Sequence, residues 1–192
     1  MSVIKLFYDL ETTGVNVRLH SIHRISGLIE VDGEVVETID IKTRPHPKAK
    51  IDPAALRICG VTEDEIMSYQ PMKAALKQFL RVLGRYVDKY DKKQMIYLVG
   101  FNNRAFDDQF LRAWFLQNKN DFFGAYFYGD SLDVMVLASQ YLIDTRPSMP
   151  SFKLHRVART LGLDVDKQLL HEGSYDVQLT RDIYRIVTDL EL

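Results

Sequence analysis

A mixed α/β fold is what this sequence predicts, on three observations. Apolar runs of strand length cluster early in the chain, a further run stands at 94–101, and the last third carries helical periodicity throughout. At 192 residues the chain favours one domain, residues 1–192, able to bury about 70% of its unfolded surface.

The elements follow in order. "VIKLFYDLETTG", residues 3–14, reads as a buried strand closed by the Thr-Thr-Gly cluster. "SIHRISGLIEVDGEVVETIDIKTRP" holds two more strands around Asp32-Gly33, a hairpin turn signal. "PAALRICG" and "TEDEIMSY" read as short helices, and "PMKAALKQFLRVLGRYVDKY" as a long one opened by Pro71. "QMIYLVGF" is a buried strand running directly into the helical "RAFDDQFLRAWFLQN", for which Asn103 offers a cap. "SLDVMVLASQYL", "SFKLHRVARTLG" and "SYDVQLTRDIYRIVTDL" complete the helices, with "DTRPSMPS", 144–151, as the most loop-like connection.

Composition narrows the function classes. The lone Cys59 excludes an internal disulfide framework, and with no signal peptide or long apolar run a cytoplasmic setting without a membrane is expected. A net charge of -1 gives no global attraction to a polyanion, so such a partner would be held by local basic patches or metal ions.

The acids carry the chemistry. Asp9 and Glu11 stand at the tip of the first strand, where residues i and i+2 share a face at roughly 6.5 Å and would repel by about 2.5 kcal/mol at an effective dielectric of 20. Two readings are open there: a strand end screened by solvent, or a divalent cation held between hard oxygen ligands. Asp107 lies on the apolar stripe of its helix with Phe110, Leu111 and Trp114, whereas Asp108 pairs in register with Arg112 and is expected on the solvated face. Asp176 heads a stripe with Thr180, Ile183, Val187 and Leu190, although the macrodipole and a Ser174 cap would also explain an acid there. Taken together, Asp9, Glu11, Asp107 and Asp176 would be costly to bury unless paired or metal-bound. Five residues before Asp176 stands His171, which a flexible turn at Gly173 would let reach the same site as a base toward water. His20, His23, His46 and His155 read as surface residues. Clustered carboxylates with one histidine suit two-metal phosphodiester hydrolysis.

These segments resemble the DEDDh, or DnaQ-like, exonucleases, which include the proofreading epsilon subunit of bacterial DNA polymerase, RNase T, oligoribonuclease and the TREX enzymes. "YDLETTG" is similar to the first family motif, "NNRAFDDQFL" to the second and "HEGSYD" to the third, with "IDPAALRICGVTEDEI" and "SFKLHRVARTLGL" similar to the intervening segments. Asn102 and Cys59 stand where the family pattern has histidines that are not metal ligands. The resemblance implies a ribonuclease H-like fold, a mixed five-stranded sheet flanked by helices, and 3′-to-5′ hydrolysis of single-stranded nucleic acid, DNA favoured, to nucleoside monophosphates. It implies two divalent cations, Mg²⁺ or Mn²⁺, held by Asp9, Glu11, Asp107 and Asp176, with His171 as general base.

Substrate contacts are expected from Thr12, Thr13, Gly14, Asn103, Phe106 and Lys153; Phe106 reads equally as a core aromatic. The expected partner is a single-stranded DNA or RNA 3′ end, with a polymerase or other replication or repair protein as a further candidate. An RNA-trimming exoribonuclease and a non-catalytic module that binds nucleic-acid ends are the alternatives.

Overall fold

The computed structural model describes residues 2–91, 93–166, 168–169 and 172–188. His171 and Leu190, both invoked above, lie outside the described residues.

A five-stranded sheet in the order β3-β2-β1-β4-β5 forms the middle layer. The central strand β1 (Ile4–Thr12) pairs antiparallel with β2 (Ile22–Val31), and β2 pairs antiparallel with β3 (Glu34–Lys42) across the expected hairpin. Asp32 and Gly33 take φ of 51° and 93°, the left-handed pair that a two-residue hairpin turn needs. On its other side β1 runs parallel to β4 (Ile96–Gly100), which pairs with the two-residue β5 (Leu132–Asp133).

Helices cover both faces. α1 (Pro53–Cys59), α2 (Glu63–Ser68) and α3 (Met72–Leu83) follow the hairpin, and α3 stops at Gly84 rather than running to residue 90. α4 (Asp107–Gln117) follows β4, and the four-residue α5 (Phe123–Tyr126) follows it. After β5 come α6 (Val134–Tyr141), α7 (Leu154–Thr160) and α8 (Gly173–Val187). The expected loop at 144–151 contains a short 3-10 turn, Arg146–Ser148. β5 escaped the sequence reading because two residues carry no periodicity, and "SLDV" looked like the start of the helix it precedes.

Alternation along β1 divides the core. Leu6, Tyr8 and Leu10 pack with α3 and α4 through Phe79, Phe110, Leu111 and Trp114. Phe7 faces the other way, toward Val134, Val157, Val177 and Ile183 of α6, α7 and α8. A buried ion triad fastens α8 to the sheet: Glu30 accepts from Lys5 Nζ at 2.9 Å and from Arg181 Nε at 2.8 Å, and Arg181 also donates to the Gly33 carbonyl. Burial opposes the Glu30 charge, but hydrogen bonds from Lys5 and Arg181 outweigh it and hold the carboxyl below its ordinary range.

Three sequence expectations are corrected. Asn103 is not the side-chain cap of α4, whose N-cap position is Phe106; its amide turns inward instead. Ser174 lies inside α8 rather than capping it, since Glu172 holds the N-cap position. His23 is buried, not on the surface, because its strand position points it into the core beneath β2.

Both His23 ring nitrogens lack partners among the described residues, and burial, with Arg24 nearby, lowers its pKa to about 4. The unfolded chain therefore takes up this proton first, at about pH 6.5, so the contribution of neutral His23 is complete above that pH and is lost as pH falls toward 4. His23→Leu should remove about 2 kcal/mol of the stability lost between pH 7 and 5, read as the difference between urea unfolding curves of the two proteins. Identical pH dependence in both would place the ring in water.

Candidate active site

The parallel pairing of β1 with β4 ends at Phe7 while its antiparallel pairing with β2 runs on to Thr12, so β1 continues past β4 at its carboxyl end, the end of an open α/β sheet where ligands commonly bind. Asp9 and Glu11 stand at that end. Asp107 opens α4 just after β4, and Asp176 lies in the first turn of α8.

These acids meet electrostatically. Asp107 is buried and its Oδ1 accepts from the Leu10 amide at 3.1 Å, which fixes it against β1 between the first two acids. Burial pushes the Asp107 pKa up to about 8, opposed by backbone hydrogen bonds and assisted by Asp108 and Glu11. Burial likewise holds Asp9 well above the carboxylate range, followed by repulsion from Asp107, Glu11 and Asp176.

Such mutually repelling oxygen donors, raised by burial and by one another, are the chemistry that a hard divalent cation satisfies. Among the described residues no three or more His, Cys, Asp or Glu side chains are grouped closely enough to hold a metal ion. Two raised carboxyls, Asp9 near the end of β1 and Asp107 at the start of α4, supply the hard oxygen donors that such a cation takes.

The neighbouring Asp108 overturns its expected place. It is buried rather than solvated, and it accepts from the Tyr8 hydroxyl, the Ser131 hydroxyl and, at 3.2 Å, Asn103 Nδ2. Arg112 instead stacks over Phe123. The i,i+4 rule fails because the first turn of α4 is wedged between β1 and the loop before β5, so both of its faces are covered. Asp133 holds that loop region in place, accepting from the Asn102 amide and capping α6 at Met135.

The remaining candidates are placed as follows. Thr12 donates to the Gly14 carbonyl; Thr13 is fully buried, donating to the Lys50 carbonyl and accepting from the Ser21 amide. Gly14 takes a φ of 153°, and a Cβ there would also fall 2.6 Å from the His20 ring, so any other residue at this position is strained. Asn103 is fully buried, Phe106 is half-buried against Phe110 with ring centroids 4.9 Å apart, and Lys153 is exposed at the start of α7. Cys59 donates to Glu11 Oε2 at 2.8 Å; burial first, then Glu11, pushes its thiol pKa up, so it stays protonated. That contact was legible only as a departure from the motif, and the Tyr8–Asp108–Ser131 cluster left no sequence signal beyond an ordinary alternating strand.

Residues 6–184 match the RNase T exonuclease family, and the chain belongs to that family. It is 25% identical over 177 residues to DNA polymerase III PolC-type of Mycoplasmopsis pulmonis, and 26% identical over 178 residues to that of Clostridium perfringens. These matches cover 92% and 93% of this chain but only 11% of either relative, so the chain spans about a tenth of their length. Among solved structures, a zinc-bound E. coli Exonuclease I–single-stranded DNA complex superposes with a TM-score of 0.77 at 21% identity, over 100% of this chain and 41% of that one. Exonuclease I with bound product gives 0.76 at 21% identity, over 98% of this chain and 44% of that one. These structural likenesses bear on the fold, which is the expected ribonuclease H-like one. Among the described residues no helix is long and apolar enough to cross a membrane.

Proposed function

We propose that residues 1–192 form one exonuclease domain that removes nucleoside monophosphates from the 3′ end of single-stranded nucleic acid, DNA favoured, in the cytoplasm. The observation that carries the reading is the convergence of Asp107, Glu11 and Asp176 on the buried Asp9, whose pKa is held well above the carboxylate range by burial first and then by their repulsion, with Arg24 opposing. Asp9, Glu11, Asp107 and Asp176 would hold two divalent cations, Mg²⁺ or Mn²⁺. When bound, these lower the pKa of the attacking water and stabilise the leaving 3′ oxygen.

The chain's own residues divide the remaining work. His171, by its place five residues before Asp176, would remove the proton from water. Glu11 is oriented by the Cys59 thiol and Asp107 by the Leu10 amide. Thr12 and the side-chain-free Gly14 would admit the terminal nucleotide, while Thr13 ties their loop to Lys50. Asn103 supports the second motif from inside, half-exposed Phe106 would stack on a base for about 1–3 kcal/mol, and Lys153 would meet a phosphate. The PolC-type and DNA-bound relatives support a DNA substrate and a polymerase or other replication or repair partner.

The test is directional. A 5′-labelled single strand should shorten stepwise, a blocked 3′ end should stop the reaction, and DNA should be cut faster than RNA of the same sequence. Preferential trimming of RNA would shift the assignment to an exoribonuclease, and efficient cutting of closed circles would end the exonuclease reading.

A further inference from the structure

We propose that the close contact between Gly173 and Ser26 is a spacer that sets the distance from Asp9 to Asp176 and so tunes the cation affinity of the site; this rests on the metal-dependent reading above. Ser26 is the cross-strand partner of Asp9 in the β1–β2 ladder, so the two side chains share a face of the sheet. Gly173, the first residue of α8, is buried against that face. A Cβ there would fall 2.4 Å from Ser26 Oγ, 3.0 Å from Ser26 Cβ and 3.7 Å from Asp9 Oδ2.

The glycine is not required by its backbone, because its φ lies outside the left-handed region that only Gly33, Gly14, Gly60 and Gly162 among the glycines occupy. It is required by space. Gly173 therefore does not serve as the flexible turn expected from the sequence; it lets the first turn of α8 lie directly on the sheet. Asp176 follows within that turn and adds to the repulsion felt by Asp9. A methyl group at 173 would lift the turn by an amount on the order of 1 Å, since ordinary carbon contacts begin at about 3.5 Å, and displacements of that size are large for ligating oxygens.

Ser26 fills the opposite side of the contact. It is 1% exposed, and its hydroxyl has no hydrogen-bond partner among the described residues, so no bond it makes there explains its presence. Its size does: Oγ and Cβ are the two atoms that a Cβ on residue 173 would meet first.

The experiment exchanges the volumes. Mn²⁺ is titrated against thermal unfolding, with circular dichroism to check folding, for the wild type, Gly173→Ala, Ser26→Gly and the double variant Ser26→Gly/Gly173→Ala. The Mn²⁺ midpoint, the Kd obtained from the logarithmic growth of stabilisation with Mn²⁺ concentration, should rise at least about tenfold in Gly173→Ala and return to within about threefold of wild type in the double variant. A merely structural contact would lower the metal-free melting temperature and leave the Mn²⁺ midpoint unmoved, and that result overturns the spacer. Should Gly173→Ala not fold, the double variant decides: recovery of folding and of the Mn²⁺ response supports the spacer, and absence of either overturns it. A wild type whose stability ignores Mn²⁺ would remove the metal reading itself, whereas a responsive wild type with a normal Gly173→Ala midpoint removes only the spacer.

Discussion

Asp107→Asn should lose on the order of a thousandfold in turnover and, without metal, should be more stable than the wild type above pH 7. The first effect follows from its place: a carboxylate pinned to the end of β1 by the Leu10 amide is replaced by a neutral amide that keeps that hydrogen bond and gives up the charge. Loss of one cation-binding charge removes several kcal/mol of transition-state stabilisation, which is the quoted factor. The second effect follows from the pKa. The carboxyl is raised from 3.8 when unfolded to about 8 when folded, so its contribution is fully present below about pH 4 and is lost as pH rises through 8. Asparagine does not titrate, so the variant should gain on the order of 4 kcal/mol over the metal-free wild type near pH 8. Urea unfolding in EDTA at pH 5 and pH 8 measures both slopes. A variant that is less stable than the wild type at pH 8 would mean that burial does not hold the Asp107 carboxyl above its ordinary range.

Asp108→Ala should destabilise the fold by about 3–5 kcal/mol, the range for breaking a buried charged hydrogen-bond set by removing one side. The substitution strands the hydroxyls of Tyr8 and Ser131 and the amide of Asn103 in a place water does not reach. Relief of the repulsion that Asp108 adds at Asp107 offsets part of this, but three donors lose their acceptor at once. Asp108→Asn keeps one carbonyl acceptor and should cost about half as much. Equilibrium unfolding of the two variants gives the comparison. A loss under about 0.5 kcal/mol for Asp108→Ala would restore the exposed pair with Arg112 that spacing alone suggests.

These adjacent aspartates mark the boundary of what the sequence can tell. Strand alternation placed Asp9 and Glu11, and the apolar stripe of α4 placed Asp107 inward, because each depends on a local period. Asp108 depends on what surrounds the first turn of α4, and Ser131 and Tyr8 come from residues 23 and 100 positions away. His23 was misread for the same reason: a polar residue in a strand looks exposed until the layer above it is known. The hairpin at Asp32-Gly33 was legible because turn chemistry is local, whereas β5 exists only through its pairing with β4. Gly173 read as a hinge, since a sequence does not distinguish a glycine kept for freedom from one kept for space.

The most direct measurement is mononucleotide release from a 5′-labelled single strand as Mg²⁺ is titrated in, for the wild type and for Asp9→Asn, Glu11→Gln, Asp107→Asn and Asp176→Asn. The account predicts a ladder receding from the 3′ end that requires the cation and disappears in all four variants while each remains folded. Undiminished release in EDTA, or wild-type turnover in any of the four, would contradict it.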